Sequence, residues 1–179
     1  MTELYIIRHC QATGQEAEAE LTDIGKLQAI ELADRLQSVG IDYIVTSPYE
    51  RARCTIEPLA QRIGVPVNED ERLIERVLCG SSHPHWRDML RRTYDEPELC
   101  YEGGESSRAA VERALQVVQS ILSESYKRPA LVSHGNLISL LLRQYESSFG
   151  FAEWERLSNP DVYVIKMQPE HTVIERVWV

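Results

Sequence analysis

The chain has 179 residues, a length that suits one domain with a sizeable buried core. Its formal net charge of −9 argues against a surface that binds nucleic acid or an anionic membrane. The 4 cysteines include no Cys-x-x-Cys pair, which argues against a disulfide scaffold and a zinc ribbon. The sequence shows neither a signal-like start nor a membrane-spanning apolar run, so we expect a cytoplasmic protein with free thiols.

A buried strand is predicted near the start of the chain, over the apolar run from Leu4 to Ile7. It ends in Arg8 and His9, which place a cation and an imidazole side by side. After a polar loop, Thr22 is a candidate N-cap for a helix whose apolar positions form one face. Gly40 is predicted to end this helix.

A second buried strand is predicted over residues 43–46, and a Ser-Pro pair at 47–48 is predicted to open the second helix. Pro58 lies inside that helical pattern and is expected to kink or shorten the helix. Gly64 is predicted to close it. The run 65–67 is typical of a short edge strand, because its central proline cannot donate to a ladder.

Residues 68–106 are rich in charge, glycine and proline. They are predicted to form a short irregular capping region that contains one helix near 86–92. Beyond this region, apolar periodicity predicts a helix over 107–123, a third core strand over 130–133 and a helix over 136–145.

The end of the chain favours two antiparallel strands, 162–165 and 173–179, joined by a turn near 169–170. No repeat or linker interrupts the sequence, so we predict a single domain over residues 1–179. Strands that alternate with helices predict the α/β class. The expected architecture is a three-layer sandwich with a mostly parallel central sheet and helices on both faces.

Polar side chains follow each of the three predicted core strands. Arg8 and His9 follow the first, Arg51 comes shortly after the second, and His134 and Gly135 follow the third. The carboxyl ends of parallel strands meet at one edge of a sheet, so these groups are expected to share an anion-binding site beside helix N-termini. Gly135 would let the backbone approach a ligand closely. A histidine nucleophile flanked by arginines suggests phosphoryl transfer.

Several spaced motifs occur in a fixed order: strand-Arg-His, Ser-Pro-x-x-Arg-Ala-x-x-Thr over 47–55, Gly-Gly-Glu-Ser over 103–106 and Val-Ser-His-Gly over 132–135. A Leu-Thr pair at 21–22 opens the first helix. In this combination the chain resembles the histidine phosphatase superfamily, also called the phosphoglycerate mutase-like family. The resemblance covers nearly the whole chain and implies the phosphoglycerate mutase-like fold.

The resemblance also implies a set of roles. His9 is the expected nucleophile that becomes phosphorylated, while Arg8, Arg51 and His134 hold the phosphoryl group. Glu75 is the expected proton donor to the leaving oxygen, since the chemistry requires a carboxylic acid. The family needs neither a metal nor another cofactor.

Four positions depart from the family pattern. Cys10 replaces the usual glycine after Arg-His, Ala12 stands where a hydroxyl residue is expected, and Cys79 replaces a glycine after the acidic residue. Gln15 stands in place of an asparagine that contacts phosphate. We predict that Gln15, Gly135 and Asn136 are further substrate contacts.

Two other chemistries fit individual residues but not their surroundings in the sequence. A cysteine phosphatase built on Cys10 needs an arginine six residues later, where Glu16 stands. Cys79, His83 and His85 are suitable metal ligands, but no further ligand cluster follows at the usual spacing. A surface loop is the better interpretation of those three residues.

The substrate remains a choice among alternatives. Arg91 and Arg92 resemble a mutase element whose paired arginines receive a substrate carboxylate. The region between Glu75 and Gly103, however, lacks the longer insert of the mutases, which must exclude water. A metal-independent phosphatase acting on a small phosphorylated metabolite is therefore favoured. A phosphoglycerate mutase, and from another class a non-catalytic phospho-ligand-binding module, are the alternatives, and a homodimer is one assembly that the sequence leaves open.

Overall fold

The structure is a computed structural model that describes residues 2–167 and 171–178. Within these ranges the strands form one six-stranded sheet with the order β3-β2-β4-β1-β5-β6. The strands are β1 (Thr2–Arg8), β2 (Tyr43–Thr46), β3 (Val67–Glu69), β4 (Pro129–Ser133), β5 (Asp161–Met167) and β6 (Thr172–Arg176).

Helices connect most of the strands. They are α1 (Asp23–Leu36), α2 (Glu50–Ile63), a single 3-10 turn (Glu71–Leu73), α3 (Trp86–Asp95), α4 (Ser107–Leu122), α5 (Gly135–Leu142) and α6 (Phe151–Glu155). None of the helices in the described ranges is long and apolar enough to cross a membrane.

The sheet is parallel over its first four strands and antiparallel at the other end. β1 pairs with β4, β4 with β2, and β2 with β3, all in parallel, whereas β5 runs antiparallel to β1 and β6 to β5. In this register Arg8 lies opposite Ser133, and Thr46 lies opposite Val132. The carboxyl ends of β1, β2 and β4 therefore lie at the same edge, as the sequence predicts.

The core occupies both faces of the sheet. Alternate residues of β1 belong to different clusters, because successive side chains in a strand point to opposite faces. Leu4 and Ile6 pack in a cluster with residues of α4 and α5, while Tyr5 and Ile7 pack in one with residues of α1 and α2. The predicted α/β sandwich, with helices on both faces of a mostly parallel sheet, is confirmed.

Capping signals in the sequence predict some helix ends correctly and others incorrectly. The Oγ1 of Thr22 accepts a hydrogen bond from the N–H of Gly25, 3.0 Å away, and Gly64 ends α2 with φ +70°. Gly40 lies four residues beyond the end of α1, so it does not cap that helix. Pro58 does not shorten α2, which continues to Ile63. The prediction that Ser47 caps α2 is wrong, since the helix begins at Glu50 and Ser47 has a partner in the site described below.

Two further boundaries differ from the prediction. α5 ends at Leu142 rather than at 145, and β6 ends at Arg176. Arg143 and the residues after it form a turn that hydrogen-bonds back to the helix. The turn expected near 169–170 lies outside the described residues.

Candidate active site

His9 lies directly beyond β1 and is held by backbone and side-chain contacts. Its backbone N–H donates to the carbonyl of Ser133, 3.1 Å away, which extends the pairing with β4 by one residue. The imidazole Nδ1 lies 2.7 Å from the carbonyl oxygen of Cys10. A carbonyl can only accept, so Nδ1 carries the proton and Nε2 keeps its lone pair. The tautomer that a nucleophile needs is therefore set by the backbone.

The electrostatic environment keeps the imidazole of His9 neutral. The side chain is only 6% exposed. Burial lowers the pKa of His9 from 6.5 to about 3, and the charges of Arg51 and Arg8 act in the same direction. The hydrogen bond to the Cys10 carbonyl opposes this change. At neutral pH Nε2 thus carries no proton and can act as a hydrogen-bond acceptor.

Arg51 brings a buried cation to His9 from the first turn of α2. Its Nε donates to the Nε2 of His9 at 3.3 Å, and its Nη1 donates to the carbonyl of Glu16 at 2.7 Å. The side chain is fully buried. The guanidinium is thus fixed beside the reactive nitrogen, with the loop before α1 holding its far side.

His134 follows β4 and lies beside His9, with ring centroids 5.2 Å apart. Its Nε2 lies 2.8 Å from the Oγ of Ser47, which explains why that hydroxyl does not cap α2. Its Nδ1 is buried without a protein partner among the described residues. Burial, then the neighbouring imidazole and arginines, lower the pKa of His134 well below 6.5. A neutral imidazole with one free nitrogen suits hydrogen bonding to a ligand.

Arg8 completes the positive group at the strand ends. Its Nη1 donates to the carbonyls of Leu157 and Ser158 at 3.0 and 3.3 Å, whereas its Nε is buried without a described partner. A Cβ on Gly135 would lie 3.0 Å from the guanidinium carbon of Arg8. The close approach predicted at Gly135 is therefore made by Arg8, and a side chain there would displace the cation.

Glu75 lies at the N-terminus of α5. Its carboxylate accepts hydrogen bonds from the N–H groups of Asn136 (3.0 Å), Leu137 (2.9 Å) and Arg76 (2.8 Å). The free N–H groups at this helix end, predicted as an anion site, are thus occupied by a carboxylate of the chain itself. Glu75 nevertheless lines the same cavity as Arg8, which leaves the predicted proton donor within the site.

The amide of Asn136 is also engaged by the protein. Its Nδ2 donates to the hydroxyl of Tyr94 at 2.9 Å, and its Oδ1 accepts from Nη1 of Arg76 at 3.4 Å. These bonds tie α5 to α3 and fix the orientation of the amide. Asn136 lines the cavity, as the prediction of a substrate contact requires.

Two residues near the site were missed by sequence reasoning. Arg76 is only 5% exposed, donates to the carbonyl of Glu105 and the hydroxyl of Thr93, and has a buried Nη2 without a described partner. Asn159 donates from Nδ2 to the carbonyl of His9 at 2.8 Å. The only sequence signal for Arg76 is its place beside the acidic candidate, and Asn159 carries none.

A cavity of about 330 Å³ lies against Arg8, Glu75 and Asn136, and five residues of the capping region line it. His9, Arg51 and His134 are not part of its described lining. Its polar part comprises Arg8, Gln15, Glu75, Arg76, Gly135 and Asn136, and its apolar part comprises Leu78, Trp86, Leu90 and Trp154. A cavity of about 390 Å³ lies between α3, α4 and α5, but its described lining contains none of the predicted site residues. The predicted site residues that line either cavity all belong to the smaller one.

The role of Arg91 and Arg92 in receiving a substrate carboxylate stays a prediction, which their exposure does not support. Both are exposed on α3, and neither belongs to the described lining of the smaller cavity. The guanidinium of Arg91 lies over the ring of Phe151 at 4.8 Å, and Arg92 pairs with Glu96 one helical turn away. The hydrophobic periodicity and the charges of the sequence did not show whether these arginines face the solvent or the site.

Cys10 and the cysteine-histidine loop do not provide alternative chemistry. Cys10 is fully buried, its backbone N–H donates to Thr55 Oγ1, and burial raises the pKa of its thiol to about 12. Cys10 therefore does not present a thiolate at neutral pH. In the described part of the chain no three His, Cys, Asp or Glu side chains are grouped to bind a metal, including Cys79, His83 and His85.

The family description that matches this chain is "Histidine phosphatase superfamily (branch 1)", and the match extends over residues 4–179.

The chain belongs to the histidine phosphatase superfamily.

Among relatives, the probable phosphoglycerate mutase of Salmonella paratyphi B is 27% identical over 160 residues, which cover 79% of this chain and 74% of the relative. A mycobacterial glucosyl-3-phosphoglycerate phosphatase solved with inorganic phosphate is 26% identical, with a TM-score of 0.79 and coverage of 99% and 97%. YhfR of Bacillus stearothermophilus is 25% identical, with a TM-score of 0.81 and coverage of 99% and 96%. Histidine phosphatase relatives thus carry both mutase and phosphatase names.

Proposed function

We propose that this histidine phosphatase superfamily member hydrolyses small phosphate monoesters through a phosphohistidine on His9. The observation that carries the proposal is the state of His9. Its Nδ1 is bound to a backbone carbonyl, its Nε2 is neutral, and a buried arginine lies 3.3 Å from that nitrogen. A binding module needs cations for phosphate, but it does not need a neutral nitrogen held in one tautomer.

The reaction has two transfers. In the first, the Nε of Arg51 releases Nε2 of His9, and the Nε2 lone pair forms a bond to phosphorus. The bond between phosphorus and the ester oxygen breaks, and Glu75, which enters the cycle as the carboxylic acid, gives its proton to the leaving oxygen. In the second, water attacks phosphorus, its proton returns to Glu75, and the bond to His9 breaks to release inorganic phosphate. The enzyme then returns to its initial state.

Charge that develops on the phosphoryl oxygens is met by groups already in place. Arg8 and Arg51 are permanent cations, and His134 has a buried nitrogen without a described partner. Such preorganised donors stabilise a phosphoryl transition state without rearrangement. They perform the charge-neutralising role that a metal ion has in other phosphatases, so we expect no metal requirement.

The small number of elements that cover the cavity favours hydrolysis over isomerisation. Between Glu75 and Gly103 the chain contributes only one helix, α3. Trp86 at the start of that helix is 48% exposed, and Gln15 on the other wall is exposed. Water can therefore reach the phosphoenzyme, whereas a mutase must retain its intermediate for a second transfer. The phosphatase name of one solved relative, the mycobacterial enzyme that is 26% identical, supports the same choice.

A phosphoglycerate mutase is the second candidate, supported by the name of the Salmonella relative and by Arg76, a further cation in the cavity.

Free thiols at Cys10, Cys54, Cys79 and Cys100 support a location in the reducing cytoplasm. Both a small phosphorylated metabolite as the partner and that location are parts of the proposal.

A single assay separates the candidates. Phosphorylated metabolites are incubated with the protein in the presence of a chelator, and both phosphate release and isomerised product are measured. We expect phosphate release that does not depend on divalent metal. Isomerised product in excess over phosphate would favour the mutase, and activity that returns only with added metal would contradict the proposed mechanism.

A further inference from the structure

The cavity lined by Arg8, the residue before His9 in the chain, has a polar and an apolar part. The polar end is the part lined by Arg8, Arg76 and Glu75, and the apolar end is the part formed by Leu78, Trp86, Leu90 and Trp154. The phosphoryl group belongs at the polar end, because the arginines are there. The leaving group of a bound ester then extends toward the apolar end.

Two indole rings dominate the apolar end, and they come from separate elements. Trp86 is the first residue of α3 and Trp154 lies in α6. Their ring centroids are 6.3 Å apart and the ring planes meet at 85°, an edge-to-face arrangement that aromatic rings favour. Trp86 keeps 48% of its residue surface exposed, so it retains area that a ligand can cover.

The protein holds this aromatic wall in place from behind. The ring of Phe151 lies 5.2 Å from that of Trp154, and the guanidinium of Arg91 lies over Phe151 at 4.8 Å. An ion pair between Arg87 and Glu155 joins α3 to α6 beside the two tryptophans. Arg87 and Arg91, both exposed on α3, thus contribute contacts that hold the wall in place.

We infer that the preferred substrates are phosphate monoesters of flat apolar alcohols, with an aromatic group that packs against Trp86 and Trp154. The inference rests on the proposed function and specifies its leaving-group subsite. A sugar or glycerol phosphate would place hydroxyl groups against indole and leucine side chains, where they lose hydrogen bonds to water without replacement. An aromatic group loses no hydrogen bonds there and gains dispersion contacts.

The test compares two alkyl esters, naphthylmethyl phosphate and ethyl phosphate, so that the preference does not arise from an acidic aryl leaving group. We expect kcat/KM of the wild type to be higher for the naphthyl ester by about 10- to 100-fold, the discrimination typical of an apolar pocket. Trp86→Ala and Trp154→Ala should each lose most of this ratio and leave ethyl phosphate hydrolysis within about 3-fold. Trp86→Phe should retain much of it, because the ring is conserved.

Trp178→Ala is the matched control. Trp178 lies under Arg35 at 4.4 Å and packs with the core cluster of α1 and α2, on the other side of the sheet from α3. This variant should keep the wild-type ratio of the two esters. Equal losses for both esters in the Trp86 and Trp154 variants, or no wild-type preference, would overturn the inference.

Binding of unreactive analogues separates this inference from the proposed function. Naphthylmethylphosphonate and methylphosphonate are titrated into the wild type and Trp86→Ala by calorimetry. If neither ester is hydrolysed but the naphthyl compound binds more tightly, and Trp86→Ala removes the difference, the subsite stands and the proposed hydrolysis fails. If both esters are hydrolysed without preference and both phosphonates bind equally, the hydrolysis stands and the subsite fails. If neither ester is hydrolysed and the phosphonates bind equally, both fail.

Discussion

The Nε of Arg51 donates to the Nε2 of His9 across 3.3 Å, so a permanent cation lies against the nitrogen expected to attack phosphorus. The contact opposes protonation of that nitrogen, and burial of both groups strengthens the effect. When a phosphoryl group bonds to Nε2, the same guanidinium is adjacent to the oxygens that carry the new charge. One residue can thus keep the nucleophile neutral and then stabilise the product of its attack.

The first prediction assigns different tasks to the two histidines. His9→Asn should lower kcat by at least about 1,000-fold and abolish covalent labelling, because the bond to phosphorus cannot form. His134→Asn should slow turnover and still allow phosphate to be trapped on His9. Brief mixing with substrate and denaturation in base preserve the acid-labile adduct for mass spectrometry. Phosphate found on His134, on a cysteine or on a serine would contradict the assignment.

The second prediction concerns stability in acid. The pKa of His9 is lowered to about 3 in the folded protein, so between pH 6.5 and 3 the unfolded chain binds the proton and the folded chain does not. Stability is therefore lost as the pH falls through this window. At pH 5 the loss due to His9 should be about 2 kcal/mol relative to pH 7.5. Urea unfolding at the two pH values should show a smaller loss in His9→Asn, and an unchanged loss would contradict the lowered pKa.

The third prediction is that Cys10 is chemically inert. It is fully buried and the pKa of its thiol is raised to about 12, so the thiolate that peroxide and disulfide reagents require is absent at neutral pH. A thiol reagent should modify the exposed Cys100 in the native protein and reach Cys10 only after unfolding. Peroxide should affect wild type and Cys10→Ala equally. Rapid native labelling of Cys10 would show that its environment is different.

The fourth prediction tests Glu75 through the leaving group. A proton donor matters most when the departing oxygen is a poor leaving group. Glu75→Gln should therefore reduce kcat for an alkyl phosphate by about 100-fold or more, and reduce kcat for 4-nitrophenyl phosphate much less. Thermal unfolding serves as the control, because the carboxylate also accepts hydrogen bonds from the N-terminus of α5. Equal losses for both esters would assign Glu75 a structural role.

The fifth prediction separates buried from exposed arginines. Replacing both Arg91 and Arg92 with alanine should change KM for a phosphorylated acid and for ethyl phosphate to the same small extent. Both side chains are exposed, and an exposed ion pair such as Arg92 with Glu96 contributes little free energy. Arg76→Lys should raise KM for both esters by about 10-fold, because lysine cannot reproduce the fork that holds Asn136 and lines the cavity. A selective effect of the Arg91 and Arg92 replacement on KM for the phosphorylated acid would support the predicted carboxylate role instead.

The sequence determined the framework of this protein through signals that are local. Apolar runs fixed three parallel strands, and each strand delivered its polar residues at its carboxyl end, which is why Arg8, His9, Arg51 and His134 could be named together. Thr22 and Gly64 marked helix ends because capping depends on residues only a few positions apart. The motifs and their order were sufficient to indicate the family, whose description matches residues 4–179.

The tertiary structure alone decided what each side chain contacts. Ser47 resembled a helix cap in the sequence, but the hydroxyl bonds to His134, which lies 87 positions along the chain. Arg76 is buried and lines the cavity, whereas Arg91 and Arg92 are exposed on α3 and lie outside its described lining, a difference that residue type does not reveal. The tautomer of His9 and the meeting of Trp86 with Trp154 likewise depend on distances in space, which a sequence pattern read over a few neighbouring residues does not contain.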